Sequence, residues 1–318
     1  MEEKQINKWL RRRFSVVGWT LTVYYLILNL LVTLAVALDA VSQMLWNRAL
    51  GDFRSGVDLD AIMGNAWGYL LTIAVGLVIL NAWKGPDYWK SEILVKEKSM
   101  TAGTFFCILS LCIGAQMVNS LWITLLEGIL NRFDKSAMDI LDSVSGGSNT
   151  FSMFLYASFL APVSEEILFR GFVLRSLRPY GKRFAIFGSA LLFGLFHGNL
   201  LQTPYAFLAG LLLGYMMVEY SIVWAAALHI FNNLVLADLL TRLTEALPEI
   251  LQAMVNLLIF GGFAAVSVTI LIVKRREIRE YNRSEWMDRR CLKCFFTNSG
   301  ILVLMAMMVL SMLWMLLL

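Results

Sequence analysis

The sequence predicts an all-α fold, a polytopic transmembrane bundle of about nine helical spans, with eight as the alternative count. Three observations carry this. The 318-residue chain is 58% hydrophobic and 16% charged, whereas soluble domains carry about 25% charged residues. Its mean hydropathy is +0.67, and several apolar runs reach the roughly 20 residues a helix needs to cross a bilayer. The basic residues alternate between successive connecting segments, as cytoplasmic and external loops do.

The first run, near 14–38, follows KQINKWLRRR. It is longer than a signal-peptide apolar region and no A-x-A site follows, so it reads as an uncleaved first helix. Runs near 65–83 and 102–126 complete an N-terminal three-helix part, residues 1–126. Residues 127–150 are polar and end in SVSGGSNT, a flexible-linker composition. Four runs, near 151–174, 184–199, 204–219 and 222–240, form a compact block, residues 151–240; the middle two are short. Runs near 250–273 and 300–318 form a C-terminal part, residues 241–318. Between them lies KRREIREYNRSEWMDRRCLK, which alternates in sign like a solvated helix and could touch anionic headgroups. The methionines of the last run read as lipid-facing or packing surface.

With nine spans, segments on one side hold 21 Lys and Arg and those on the other hold 5. The remaining one, Arg170, lies inside the fourth span. The split places the N-terminus in the cytoplasm and the C-terminus outside. A bacterial plasma membrane is the expected location. The basic residues follow the membrane rule, and no nucleic-acid partner is implied. Of four cysteines, Cys107 and Cys112 fall in the third span, while Cys291 and Cys294 form one C-x-x-C on the cytoplasmic segment. They read as ordinary reduced thiols.

Ionisable residues within spans are functional candidates. The block 151–240 contains Glu165, Glu166, Arg170, His197, His229 and Asn233, including both histidines of the chain. Glu166 and Arg170 are four apart and share a helix face, so they can pair. Glu165 is turned about 100° away, which leaves it free to act as acid or base. Pro162 removes a backbone hydrogen bond, and a kink or break is expected above Glu165. Counted from the basic span ends, Glu165, His197 and His229 lie about 15, 21 and 12 Å deep, so they can meet. His229 and Asn233 share a face, and Phe193 lies one turn before His197 and could wall the site. Glu219 and Asp238, near span ends, read as interfacial.

A carboxylate beside an imidazole in a shielded pocket suits activation of water. A second imidazole and an amide suit an oxyanion. Glu165, His197 and His229 could instead hold zinc. The sequence holds no H-E-x-x-H, no G-x-S-G and no Gly-x-Gly-Asp partnered by a second membrane aspartate, so other intramembrane protease chemistries fit it poorly.

EEILFR fits E-E-x-x-x-R, FGLFH fits F-x-x-x-H and HIFNN fits H-x-x-x-N. In order and spacing these resemble the CPBP (Abi) family of CAAX prenyl proteases and bacteriocin-processing enzymes, over about 151–240. The resemblance implies an intramembrane endopeptidase of the type II CAAX kind acting on a peptide or membrane-protein substrate. Carried over by position, Glu165 would be the catalytic glutamate and His197 its partner in activating water. His229 and Asn233 would stabilise the oxyanion, with Glu166 and Arg170 in support. Both a zinc and a metal-free glutamate mechanism are attached to the family; the metal-free one is preferred here. The rival readings are a non-enzymatic membrane immunity or scaffold protein, and a transporter with a polar midplane site.

Overall fold

The protein, described by a computed structural model, is built of helices without strands over its described residues, which are 3–50, 56–137, 150–284 and 288–317. Among the described residues, seven helices are long and apolar enough to cross a membrane. They are α1 (Glu3–Ala49), α2 (Trp67–Lys84), α3 (Ala102–Leu130, continued by a turn to Phe133), α4 (Phe151–Tyr180), α7 (Ile222–Glu245), α8 (Glu249–Val273) and α11 (Ser299–Leu317). The other two expected spans are shorter. They are α5 (Lys182–Phe196, 15 residues) and α6 (Thr203–Glu219, 17 residues), about 22 and 26 Å long.

Local chemistry sets the boundaries. Thr101 and Thr150 cap α3 and α4 by accepting from the backbone N–H groups of Thr104 and Met153. Gly181, at φ 116°, separates α4 from α5 in a conformation that favours glycine. α3 runs four residues into the stretch read as a linker, and half of that stretch, 138–149, lies outside the described residues. The basic segment forms α9 (Arg275–Ser284) and α10 (Arg289–Phe296). In α11, Met308 and Met312 are buried.

α5 and α6 form a tight antiparallel hairpin at the centre. Small residues let it close: a Cβ at Gly210 would stand 3.0 Å from the Ala190 Cα, and one at Gly194 3.0 Å from the Phe207 Cβ. α4 and α7 pack against this hairpin, α3 packs on α6 and α8, and α1 packs along α11, α10 and α2. Among the described residues the main core cluster holds Phe14, Phe169, Phe172, Phe184 and Phe295, fully buried or nearly so, and a smaller one joins Leu126, Leu130, Ala137 and Leu201.

Glu219, expected at the interface, is 3% exposed. It accepts from Lys98 Nζ at 2.6 Å, Lys182 Nζ at 2.9 Å and the Tyr281 hydroxyl at 3.2 Å. These bonds tie the α2–α3 loop, the start of α5 and the basic helix α9 to the end of α6. The hydrogen bond that Lys98 donates to Glu219 raises the Lys98 pKa above the ordinary lysine value.

α1 and α11 meet backbone to backbone. A Cβ at Gly18 would lie 2.2 Å from the Gly300 carbonyl carbon, and one at Gly300 the same distance from the Ser15 oxygen. Gly18→Leu is expected to lower stability by about 1–3 kcal/mol through overpacking. A drop in the thermal midpoint of the detergent-solubilised protein reads this out. Gly103→Ala, where a Cβ meets nothing within 4 Å, should leave the midpoint in place.

Candidate active site

α4 carries the two glutamates between two π-helical stretches, Tyr156–Leu160 and Ile167–Leu174. Pro162 therefore does not break the helix. The wider π turn before it absorbs the missing N–H, and α4 continues to Tyr180. In the second π stretch, the carbonyls of Phe169 and Gly171 accept from the Ser189 and Tyr88 hydroxyls, both at 2.8 Å. These bonds fix α4 against α5 and against the segment after α2.

Glu166 is fully buried and serves two partners. Its Oε2 lies 3.2 Å from Arg170 Nε, an ion pair without the alignment of a hydrogen bond. Its Oε1 lies 2.9 Å from His229 Nδ1. Arg170, also fully buried, donates through Nη2 to the Gly210 carbonyl at 3.3 Å and lies 4.4 Å from the Phe193 ring centroid. The i,i+4 geometry read from the sequence is thus present. The second arm, from Glu166 to His229, joins residues 63 positions apart and leaves no trace in local spacing.

Glu165 has no basic side chain within hydrogen-bonding reach among the described residues. Its side chain is 33% exposed, and Oε2 stands 3.7 Å from His229 Nε2. His229 Nδ1 faces a carboxylate oxygen and therefore carries a proton. Its Nε2 then points at Glu165 across a gap slightly too wide for a hydrogen bond.

His197 does not sit within a span. It caps the C-terminal end of α5, where the α5–α6 turn begins. Its Nδ1 donates to the Phe193 carbonyl at 2.9 Å, which leaves Nε2 as a free acceptor. Gly198, at φ 65°, reverses the chain in the left-handed region. The turn meets its own polar needs. Asn199 Oδ1 accepts from the Gln202 N–H at 2.7 Å, the Thr203 hydroxyl donates to the Asn199 carbonyl at 2.7 Å, and Trp122 of α3 donates to the Leu200 carbonyl at 2.9 Å. A turn at membrane depth is tolerated only when protein or a water-filled cavity satisfies it in this way.

Phe193 meets both imidazoles edge-on, with ring centroids 4.9 Å from His197 and 5.6 Å from His229. Asn233 lies in a π-helical stretch of α7, Asn232–Leu239, and donates to the Ala157 carbonyl at 3.0 Å.

Glu165, Phe193, His197, His229 and Asn233 all line one cavity of about 620 Å³, while Glu166 and Arg170 lie behind its wall. Asp238, read as interfacial, also lines it and pairs with Arg242 at 2.9 Å. Glu165 and His197 further line a second pocket of about 130 Å³ walled by Tyr24, Tyr69 and Tyr156. That pocket shares Tyr24, Ile73, Ser164 and Leu168 with an apolar cavity of about 390 Å³ between α1, α2 and α4. The small pocket thus adjoins the apolar cavity on one side and, at Glu165, Phe193 and His197, the larger and more polar chamber on the other.

Among the described residues, no three His, Cys, Asp or Glu side chains are grouped closely enough to hold a metal ion. As arranged, Glu165, His197 and His229 do not fit zinc. All four cysteines are free.

Residues 147–235 match the family model described as type II CAAX prenyl endopeptidase Rce1-like. The matched stretch is under a third of the chain and holds every site residue named above from Glu165 to Asn233. It supports a CAAX-protease-like intramembrane endopeptidase at the level of the family. No curated protein and no solved structure matches the chain.

Removing either partner of a buried ion pair strands the other, at about 3–5 kcal/mol. Glu166→Gln and Arg170→Ala should each lower the thermal midpoint and the yield of monodisperse protein. Glu165→Gln should change neither, and an equal drop there would contradict this division between the two acids.

Proposed function

We propose that the chain is an intramembrane endopeptidase in which Glu165 and His197 activate water. The observation that carries this reading is the split between adjacent glutamates. Glu166 is buried between Arg170 and His229, while Glu165 has no Lys or Arg partner among the described residues, stands 3.7 Å from His229 Nε2 and borders a chamber it shares with both histidines and Asn233.

The water sits between the Glu165 carboxylate and His197 Nε2. As its oxygen attacks the peptide carbonyl carbon, its proton passes to Glu165 and from there to the departing amine. Asn233 and His229 face the developing oxyanion. His229, with its Nδ1–H held by Glu166, turns Nε2 toward it, and a proton on Nε2 makes that nitrogen the second donor. Such fixed donors act strongly in a site shielded from bulk water. The residues carry these steps without a metal.

The two chambers suit an amphiphilic substrate. A prenyl group or apolar side chains would lie in the cavity between α1, α2 and α4, and the polar end of the peptide in the larger chamber. The protein would work in a bacterial plasma membrane with its N-terminus in the cytoplasm.

A farnesylated CAAX-type peptide and the purified protein in lipid nanodiscs test this. Glu165→Gln should slow cleavage by about 10²–10⁴-fold, the usual contribution of general acid–base catalysis, at unchanged folded yield. A scaffold or transporter would release no product from the wild-type protein. Wild-type cleavage should survive a zinc chelator, and the purified protein should carry no stoichiometric zinc. Activity lost to the chelator and restored by zinc would overturn the metal-free mechanism.

A further inference from the structure

We infer that Tyr205 and Asn232 are positioning residues that keep an N–H of Asn233 turned toward the chamber. This rests on the reading of Asn233 as an oxyanion donor.

An asparagine amide has two nearly isosteric ends, one donating and one accepting. It helps an oxyanion only when the NH₂ end faces it, and the reversed amide would repel the same charge. Something must therefore choose between two orientations of nearly equal shape.

The choice is made by a hydrogen-bond chain of a single polarity across four helices. The Ala157 carbonyl of α4 can only accept, so Asn233 presents Nδ2 to it, at 3.0 Å. Asn233 Oδ1 then faces Asn232, which must donate and does so through Nδ2 at 3.0 Å. Asn232 Oδ1 faces the Tyr205 hydroxyl of α6, which donates to it. With its only proton used, the Tyr205 oxygen accepts from the Cys112 thiol of α3 at 3.3 Å. Every link is forced by the one before it. The second proton on Asn233 Nδ2 has no protein acceptor among the described residues, and Asn233, Asn232 and Tyr205 all line the chamber.

Loss of the Tyr205 hydroxyl leaves Asn232 Oδ1 without its donor. Asn232 can then turn over and set its Oδ1 against Asn233 Oδ1, so that the Ala157 carbonyl alone opposes reversal of the Asn233 amide. The interaction at stake exists only when the oxyanion forms, so its loss appears in kcat and not in KM.

Tyr205→Phe removes the hydroxyl and little else. On the farnesylated peptide, kcat should fall about 10-fold with KM unchanged, part of the 10²–10³-fold typical for losing an oxyanion donor outright. In an Asn233→Ala background the same substitution should cost nothing further, because the group it positions is gone. A purely structural role for Tyr205 would add its loss in both backgrounds. Selective ¹⁵N-asparagine labelling gives a readout that needs no substrate. The Asn233 side-chain NH₂ pair, assigned by its disappearance in Asn233→Ala, should shift or broaden in Tyr205→Phe. Full kcat in Tyr205→Phe, an additive double variant, or an unmoved Asn233 signal would each overturn the inference. A wild-type protein that cleaves nothing would sink the proteolytic reading, and the amide signal would still decide the positioning.

Discussion

The site depends on one fully buried carboxylate. Glu166 holds Arg170 from its own helix and His229 from α7, so the side chain that keeps the guanidinium neutralised also sets the tautomer of the imidazole. A carboxylate in such surroundings is stable only while its cations stay in place. Arg170 in turn reaches the Gly210 carbonyl and lies over Phe193, whose edge contacts set the spacing of both histidines. α4, α5, α6 and α7 are thereby locked to each other by polar contacts at the level where the lipid supplies none.

With Glu166 committed, Glu165 is spared. The two acids are neighbours in sequence and differ in everything that matters to chemistry: cation, burial and access to the cavity. A helix turns about 100° per residue, enough to place one carboxylate in the packing and the next on a chamber wall. The π-helical stretches on either side of them, and the one carrying Asn233, fall where side chains must be aimed away from the regular helical register.

Much of this was legible in the sequence. The helical class and the pairing of Glu166 with Arg170 follow from apolar run length and i,i+4 spacing, both local properties. The positions that line the chamber follow from the presence of ionisable residues where lipid forbids them. What escaped reading is non-local or conformational. The bond from Glu166 to His229 joins different helices. The end of α5 at Phe196 is decided by Gly198 and by the tertiary cover of the turn, because GLFHGNL looks apolar enough to continue. Pro162 predicts a break only if the helix cannot widen, and here it does. Glu219 and Asp238 look alike as acids near span ends, yet one is enclosed by two lysines and a tyrosine, and the other lines the chamber. Hydropathy carries no information on that difference.

The brevity of α5 and α6 has a consequence for how the site is wetted. A hairpin of about 22–26 Å is shorter than a hydrocarbon layer of about 30 Å, and α3, α4 and α7 pack around it so that none of its residues is fully exposed. Its turn, and His197 with it, thus ends inside the bundle. Water arriving there meets side chains of neighbouring helices and not acyl chains, so the access of solvent to the chemistry is decided by the protein.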